Sequence, residues 1–192
     1  MAGGYPLSFV YLFIVLVIVQ RIAEVGVAKS NERWMKQRGA FEAGESHYPV
    51  MVALHSCFFV ALLLEVTLKD SSWTMWSLLP LAVFLVAQVI RVWALLTLGR
   101  FWNTKIIVLP GAEPVKSGPY RWIRHPNYVV VIIEILFLPL IFQAYVTAIV
   151  FSLLNAAMLL VRIKAEEEAL DRNGKYSEKF EQVSRFVSIR KK

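Results

Sequence analysis

Residues 126–163 read PNYVVVIIEILFLPLIFQAYVTAIVFSLLNAAMLLVRI, and only Glu134 and Arg162 carry a charge in this stretch. A helix needs about 20 apolar residues to cross a bilayer. The stretch is therefore too long for one span and just long enough for two short ones. We expect the turn near Phe142-Gln143-Ala144, so the sequence predicts a tight helical hairpin here.

The chain before this hairpin is also apolar. Of the 192 residues of the whole chain, 57% are hydrophobic and 18% are charged, which is typical of an integral membrane protein rather than a soluble domain. The N-terminal run lacks the basic region of a secretory signal, so we expect it to remain as a membrane helix. The further candidate spans are Pro6 to about Ala28, Pro49 to about Leu68, and Trp73 to about Leu98, with Trp73 and Trp76 as interfacial anchors.

These segments together predict the fold class. We expect an all-α integral membrane protein with about five transmembrane helices, of which the last two form the tight hairpin. A cytoplasmic C-terminal helix is predicted from Lys164 onward, with a break at Asn173-Gly174 where a C-cap would lie. The whole chain, residues 1–192, is expected to form one domain.

Lysine and arginine residues are concentrated on one side of these predicted spans. They fill the connections 29–48 and 99–125 and the tail from Arg162, whereas the two opposite connections hold only Lys69. The positive-inside rule then predicts a multi-pass protein of the cell membrane with an outside N-terminus and a cytoplasmic C-terminus. The net charge of +7 is explained by this bias and by attraction to membrane lipids, so we expect no nucleic-acid partner. The single cysteine, Cys57, excludes a disulfide framework and a cysteine-rich metal site, and we expect no metal.

The densest polar chemistry flanks the predicted hairpin. SGPYRWIRHPNY (117–128) precedes it and RIKAEEEAL (162–170) ends it, so a hairpin would bring both into one cytoplasmic pocket. Gly118-Pro119 predicts a turn, Pro126 suits the first position of a helix, and His125 can exchange a proton near neutral pH. Arg162 and Glu166 share a helical face if the helix continues through Ala165. Headgroup anchoring and a solvated acidic helix remain the alternatives for these segments.

Four ionisable residues fall at membrane depth, where a charge is costly. Glu134 and His55 are candidates for a substrate channel, although Glu134 could equally pair with His55 or Arg91 and only lock helices together. Glu65 lies near a span end, where we expect it to reach the interface. Near the end of the first span, Arg21 and Glu24 are spaced for an i, i+3 pair.

LLTLGRFWNTKI (95–106), GPYRWIRHPNY (118–128) and RIKAEEEALDRNGKYSEKF (162–180) resemble the isoprenylcysteine carboxyl methyltransferase family of integral membrane enzymes, over roughly residues 88–182. The resemblance implies methyl transfer from S-adenosylmethionine to a lipophilic acceptor, without a metal and without a Rossmann domain. By the same resemblance, the cofactor pocket would include Tyr120, Arg124, His125, Pro126, Tyr128 and Glu167, and Arg162 and Glu166 would lie beside the reacting sulfur and the acceptor.

The sequence departs from the family pattern after Tyr128. Many members have a small residue two positions after this tyrosine, whereas Val129, Val130 and Val131 follow it here. We expect this change to alter the wall of the pocket, which disfavours a prenylated protein as the acceptor. Short bacterial relatives include enzymes that O-methylate long-chain alkylpyrones or phenolic lipids, and an acceptor of that kind is slightly favoured over an isoprenylcysteine carboxylate.

Arg162 is predicted to orient the acceptor oxygen, while Glu166 holds Arg162 or removes an enol proton. Two other functions remain open. A sterol-type membrane reductase would bind NADPH, with Arg121 or Arg100 on its 2′-phosphate. A non-enzymatic lipid-binding protein would use the polar cluster only to anchor headgroups.

Overall fold

A computed structural model describes residues 7–69, 75–172 and 176–186. The predicted start at Pro6, the anchor Trp73 and the break at Asn173-Gly174 lie outside these residues. The described elements are α1 (Leu7–Lys36), β1 (Phe41–Ala43), α2 (Tyr48–Leu68), α3 (Leu78–Leu98), β2 (Ile106–Val108), α4 (Pro126–Ile141), α5 (Tyr145–Arg172) and α6 (Tyr176–Lys179).

The described chain is mainly helical, as the sequence predicts for a membrane protein. Within the described ranges, four helices are long and apolar enough to cross a membrane: α1, α2, α3 and α5. Helix α4 is also apolar but shorter, with 16 residues. Large apolar side chains cover the outside of these helices, as expected for a surface in contact with lipid; they include Leu12, Leu16, Val60, Leu64, Leu85, Val89, Leu153 and Leu160.

Inside the bundle, one apolar core joins helices α1 to α5. Its largest side chains interlock as aromatic pairs, with ring centroids 5.8 Å apart for Phe13 and Phe142 and 5.6 Å apart for Phe58 and Phe151. Edge-to-face contacts of this kind stabilise a core beyond the area that they bury. This core fills the half of the bundle that lies away from β1 and β2.

Helix α1 is longer than predicted and extends through Lys36. Its last turns are held because the Asn31 amide donates hydrogen bonds to the carbonyl oxygens of Gly99 (3.2 Å) and Trp102 (2.8 Å). The first part of the predicted loop 29–48 is thus the end of α1, and β1 lies in its second part. Strands β1 and β2 pair antiparallel, with Glu42 opposite Ile107. We call this end of the bundle, formed by β1, β2 and residues 117–128, the polar end.

Glu65, which was predicted to reach the interface near the end of α2, contacts the start of α5. Its carboxylate accepts hydrogen bonds from the backbone N–H groups of Val146 (3.1 Å) and Thr147 (2.7 Å), at the start of α5. The first N–H groups of a helix have no partner within the helix, and its N-terminus carries partial positive charge. Glu65 therefore satisfies the start of α5, which follows α4 after only residues 142–144.

Helix α5 continues without a break through Ala165 to Arg172. The predicted C-terminal helix is therefore the continuation of the last apolar helix. This continuity meets the condition under which Arg162 and Glu166 share one helical face. It also carries both side chains to the polar end, beside the first turn of α4.

Candidate functional site

A cavity of about 670 Å³ extends from the polar end into the space between the helices. It brings together both predicted polar segments, since six of the eight site residues predicted in them line it: Tyr120, Arg124, His125, Tyr128, Arg162 and Glu166. Two other predicted pocket residues, Pro126 and Glu167, do not line it. Pro126 occupies the first turn of α4, as predicted, and has a structural role there.

The loop before α4 depends on Gly118. This glycine has a φ of 51°, and a Cβ atom there would lie 2.3 Å from the Thr97 hydroxyl oxygen. Only glycine adopts such a conformation at no steric cost. Residues Gly118–Arg121 then form the predicted turn, which buries Tyr120 at the cavity wall.

The centre of the site is a chain of three side chains from α4 and α5. The Tyr128 hydroxyl donates a hydrogen bond to Glu166 and accepts one from Arg162 Nε at 3.0 Å. Arg162 Nη2 also donates to the carbonyl oxygen of Thr104. Glu166 is therefore linked to Arg162 through Tyr128. The sequence predicted that Glu166 holds Arg162 or removes an enol proton, and it named Tyr128 as a pocket residue without predicting this bridge.

Behind the cavity wall, Glu167 holds His125. The His125 ring donates a hydrogen bond from Nε2 to Glu167 Oε1 at 3.0 Å. Arg185 binds the same carboxylate through Nε at 3.0 Å and Nη2 at 2.5 Å, and this hydrogen bond raises the pKa of the Arg185 guanidinium. Because Nε2 of His125 is bound to Glu167, Nδ1 is the ring nitrogen that is left for a ligand. Glu167 is thus a positioning residue for His125, and Arg185 positions Glu167.

The C-terminal segment 183–185 is bound along the loop that precedes α4. The backbone N–H of Arg124 donates to the Ser184 carbonyl at 2.9 Å, and that of His125 donates to the Arg185 carbonyl at 3.3 Å. The Arg124 side chain donates from Nε to the Val183 carbonyl at 2.6 Å. Arg124 therefore lines the cavity and also fixes the tail. The sequence showed only a basic tail, without a pattern that distinguishes Arg185.

Aromatic side chains and one amide complete the polar end of the cavity. Tyr176 and Phe180 stack with ring centroids 4.9 Å apart, and both line the cavity. Burial raises the pKa of the phenols of Tyr120 and Tyr176, and the nearby charge of Glu166 adds to the effect, so both stay neutral. Asn127 Nδ2 donates to the Tyr120 hydroxyl at 3.1 Å, while its Oδ1 is buried with no partner in the described chain. Sequence reasoning did not single out Tyr176, Phe180 or Asn127.

The deep part of the cavity contains an ionic network. Glu134 pairs with Arg91, whose Nε lies 3.0 Å from Glu134 Oε1, and with Arg21, whose Nη2 also lies at 3.0 Å. Arg21 makes the predicted i, i+3 pair with Glu24 at 2.7 Å. Glu134 thus pairs with Arg91 and not with His55, whose Nδ1 donates to the Met51 carbonyl at 2.8 Å. The network joins α1, α3 and α4, and its four charged residues line the cavity together with His55.

Of the valines that follow Tyr128, Val131 contributes to the cavity wall, whereas position 130, where the family pattern has a small residue, does not. Val130, two positions after Tyr128, is completely buried and does not line the cavity. Val131 lines it. The residue at position 130 therefore packs within the bundle, because side chains two apart on a helix point to different faces.

The site can bind a polar molecule at one end and an apolar chain at the other. A guanidinium, a carboxylate and an imidazole lie at the polar end, while residues such as Ile135, Leu138 and Leu159 line the interior. Within the described ranges, no group of three or more His, Cys, Asp or Glu residues could hold a metal ion.

Sequence comparison relates the chain to one protein family and to two bacterial proteins. The family model for the isoprenylcysteine carboxyl methyltransferase (ICMT) family matches residues 79–172, which contain α4, α5 and most of the polar site. The uncharacterized protein YpbQ of Bacillus subtilis (strain 168) is 53% identical over 160 residues, which cover 83% of this chain and 95% of that protein. An uncharacterized protein of Haemophilus influenzae (strain ATCC 51907 / DSM 11121 / KW20 / Rd) is 28% identical over 163 residues, or 84% of this chain and 95% of that protein.

Proposed function

Because the chain belongs to the isoprenylcysteine carboxyl methyltransferase family and is thereby a membrane methyltransferase, we propose that it transfers the methyl group of S-adenosylmethionine to an oxygen atom of a lipophilic acceptor. One observation carries the proposal: a single cavity joins a polar pocket at the end of the bundle to an apolar interior. A water-soluble methyl donor and a lipid can meet there. In this proposal the polar end faces the cytoplasm, and α4 and α5 form the fourth and fifth spans as a hairpin in the cell membrane.

The residues of the polar end suit this donor. The unpartnered Oδ1 of Asn127 can accept a hydrogen bond from an ammonium or adenine N–H group. Nδ1 of His125 offers a second hydrogen-bonding atom, and the neutral Tyr120 and Tyr176 phenols can donate to a carboxylate or a ribose oxygen. The rings of Tyr176 and Phe180 offer an aromatic face for adenine. When bound, S-adenosylmethionine supplies an electrophilic methyl group, whose transfer forms the new carbon–oxygen bond, breaks the carbon–sulfur bond and leaves a neutral thioether.

Arg162 is the residue best placed to hold the acceptor oxygen. Its Nε and Nη2 are committed to Tyr128 and to Thr104, which fixes the plane of the guanidinium. Its Nη1 has no partner among the described residues, and the side chain lines the cavity. A fixed guanidinium in a site with little water stabilises a negative oxygen without any rearrangement.

Glu166 is the proposed base. Its Oε2 accepts the Tyr128 hydrogen bond, which leaves Oε1 to take the proton of an acceptor hydroxyl. A carboxylate acceptor is already ionised at neutral pH and needs no base. The pairing of a base with a guanidinium therefore favours the hydroxyl of an alkylpyrone or phenolic lipid over an isoprenylcysteine carboxylate.

The reductase alternative is less well supported by the geometry. NADPH requires cations for its 2′-phosphate, and the sequence offered Arg121 and Arg100 for this purpose. Neither lines the cavity, and Arg100 instead donates to the Ser30 hydroxyl at 3.3 Å. Arg124 lines the cavity at the polar end, but its Nε already donates to the Val183 carbonyl of the tail.

Two measurements on the detergent-purified protein test the proposal. Calorimetric titration with S-adenosylhomocysteine should show binding, whereas NADPH should not bind. Incubation with labelled S-adenosylmethionine and host lipid extract should then label a lipid, whose mass identifies the acceptor. Binding of NADPH instead would support the reductase, and binding of neither nucleotide would leave a lipid-binding protein.

A further inference from the structure

The carbonyl group that binds Arg162 belongs to a peptide unit that is itself held in place. Arg162 Nη2 donates to the Thr104 carbonyl oxygen, in the turn that precedes β2. The N–H group of the same peptide unit is that of Lys105, and it donates to the side-chain oxygen Oδ1 of Asn103 at 3.2 Å. A peptide unit is planar, so a bond to its N–H group also fixes the direction of its carbonyl oxygen. Asn103 is therefore linked to Arg162 through a single peptide plane.

Both polar atoms of the Asn103 side chain have protein partners. Oδ1 binds the N–H group two residues further along the chain, which is the hydrogen bond of an Asx turn. Nδ2 donates to the carbonyl oxygen of Ala28 on α1 at 3.2 Å. Asn103 lines the cavity, but these two bonds commit its amide to the backbone. The side chain is thus placed to orient a peptide unit.

The turn that contains this peptide unit is anchored on both sides. Before it, Asn31 on α1 donates to the Trp102 carbonyl oxygen at 2.8 Å. After it, the Lys105 ammonium lies 2.9 Å from a carboxylate oxygen of Glu42 and 3.3 Å from one of Glu32. The end of α1 and strand β1 therefore hold the turn against α5.

We propose that Asn103 is a positioning residue of the methyl-transfer site, and that it orients Arg162 through the peptide unit between residues 104 and 105. This inference rests on the proposed function and deepens it, because it extends the set of residues that hold the acceptor oxygen. The bond at the N–H group also polarises the peptide unit, since hydrogen bonds in a chain strengthen one another. With Nη2 held by this carbonyl and Nε held by Tyr128, the guanidinium keeps one orientation in the cavity.

Asn103→Ala should lower kcat by at least about tenfold, because Arg162 loses its fixed orientation. Asn103→Ser should recover part of this loss, since a serine hydroxyl can accept the same hydrogen bond more weakly. Arg100→Ala is the matched control. It removes another contact between this turn and α1, the 3.3 Å bond to the Ser30 hydroxyl, and Arg100 does not line the cavity. This control should leave kcat unchanged.

A double-mutant cycle separates positioning from a general effect on the fold. If Asn103 acts through Arg162, Asn103→Ala should cost nothing further in an Arg162→Ala background, because the group that it orients is already gone. A residue that only supports the fold would lower kcat by the same factor in both backgrounds. Equal factors in the two backgrounds, or a wild-type kcat for Asn103→Ala, would overturn the proposal.

A measurement on Arg162 itself separates this inference from the proposed function. In protein with isotope-labelled arginine, a guanidinium that is bound at Nε and Nη2 rotates slowly, so its NH₂ groups give resolved magnetic resonance signals. The signals that Arg162→Ala removes belong to Arg162. They should be resolved in the wild type and in Arg100→Ala, and they should merge in Asn103→Ala.

Merged signals in Asn103→Ala would support the positioning role even if no methylated product were found. Resolved signals in this variant would overturn the role even if the wild type is an active methyltransferase. If Asn103→Ala does not fold, Asn103→Ser takes its place, with changes in kcat and in the signals that are smaller but in the same direction. Identity of Asn103→Ser with the wild type in both measurements would then overturn the proposal.

Discussion

Tyr128 donates a hydrogen bond from its hydroxyl to the carboxylate of Glu166, and this bond joins the first turn of α4 to the late part of α5. The same hydroxyl accepts a hydrogen bond from Arg162 at 3.0 Å. One phenol thus fixes the relative positions of a cation and a carboxylate. In the proposed reaction these two groups hold the acceptor oxygen and take its proton.

Tyr128→Phe should lower kcat by about 10² or more, because Glu166 and Arg162 lose the group that aligns them. The affinity for S-adenosylhomocysteine should change little, since the aromatic ring is retained. Stopped assays with labelled S-adenosylmethionine and calorimetry measure the two quantities. Tyr145→Phe is the matched control, because Tyr145 is exposed at the other end of α5 and should not matter. A Tyr128→Phe variant with wild-type kcat would contradict the role of the bridge.

Arg185→Ala should weaken the binding of S-adenosylhomocysteine by about tenfold, since Glu167 loses a bidentate partner and His125 loses its fixed orientation. Arg185→Lys should recover part of the affinity by restoring one charged hydrogen bond. Arg172→Ala provides the control, because Arg172 is an exposed cation on α5 that pairs only loosely with Glu168 at 3.9 Å. If the Arg172→Ala and Arg185→Ala variants bind equally well, the tail does not position His125.

The sequence predicted which residues meet at the polar end better than it predicted how they meet. Helical periodicity places Arg162 and Glu166 on one face, and the break between α4 and α5 at residues 142–144 brings residues 124–128 beside them. The phenol bridge of Tyr128 and the contact of Arg185 with Glu167 depend on side chains from distant parts of the chain. Sequence spacing contains no information about such pairs.

The contacts at the ends of the helices were harder to predict, because they too depend on residues that are distant in the sequence. Glu65 was expected at the interface because a charge near the end of an apolar segment can reach water. The sequence did not show that the start of α5 offers unpaired N–H groups to this carboxylate, because this partner is visible only once α2 and α5 are packed. The length of α1 similarly depends on the bonds of Asn31 to residues near 100.

Glu65→Gln should lower the stability of the folded protein by about 1 kcal/mol, because an amide replaces the charge that caps α5. The apparent unfolding temperature in detergent measures the change. Glu168→Gln is a suitable control, since Glu168 is exposed on α5 and makes only loose ion pairs. Equal unfolding temperatures for the Glu65→Gln and Glu168→Gln variants would show that the cap contributes nothing.

The ionic network gives the last prediction, which separates a structural role from a role in the substrate channel. Removing one partner of a buried ion pair leaves an uncompensated charge and costs about 3–5 kcal/mol, whereas replacing both partners by apolar residues costs much less. Arg91→Leu and Glu134→Leu should therefore each destabilise the protein strongly, and the double variant should recover most of its unfolding temperature. Val92→Ala, on the outer face of α3, is the control for a change in this helix.

If the network only locks α1, α3 and α4 together, the folded double variant should also methylate its acceptor at close to the wild-type rate. A double variant that is stable but inactive would instead show that Glu134 and Arg91 contact the acceptor, because a helix lock can be replaced by apolar packing and a polar contact to a ligand cannot.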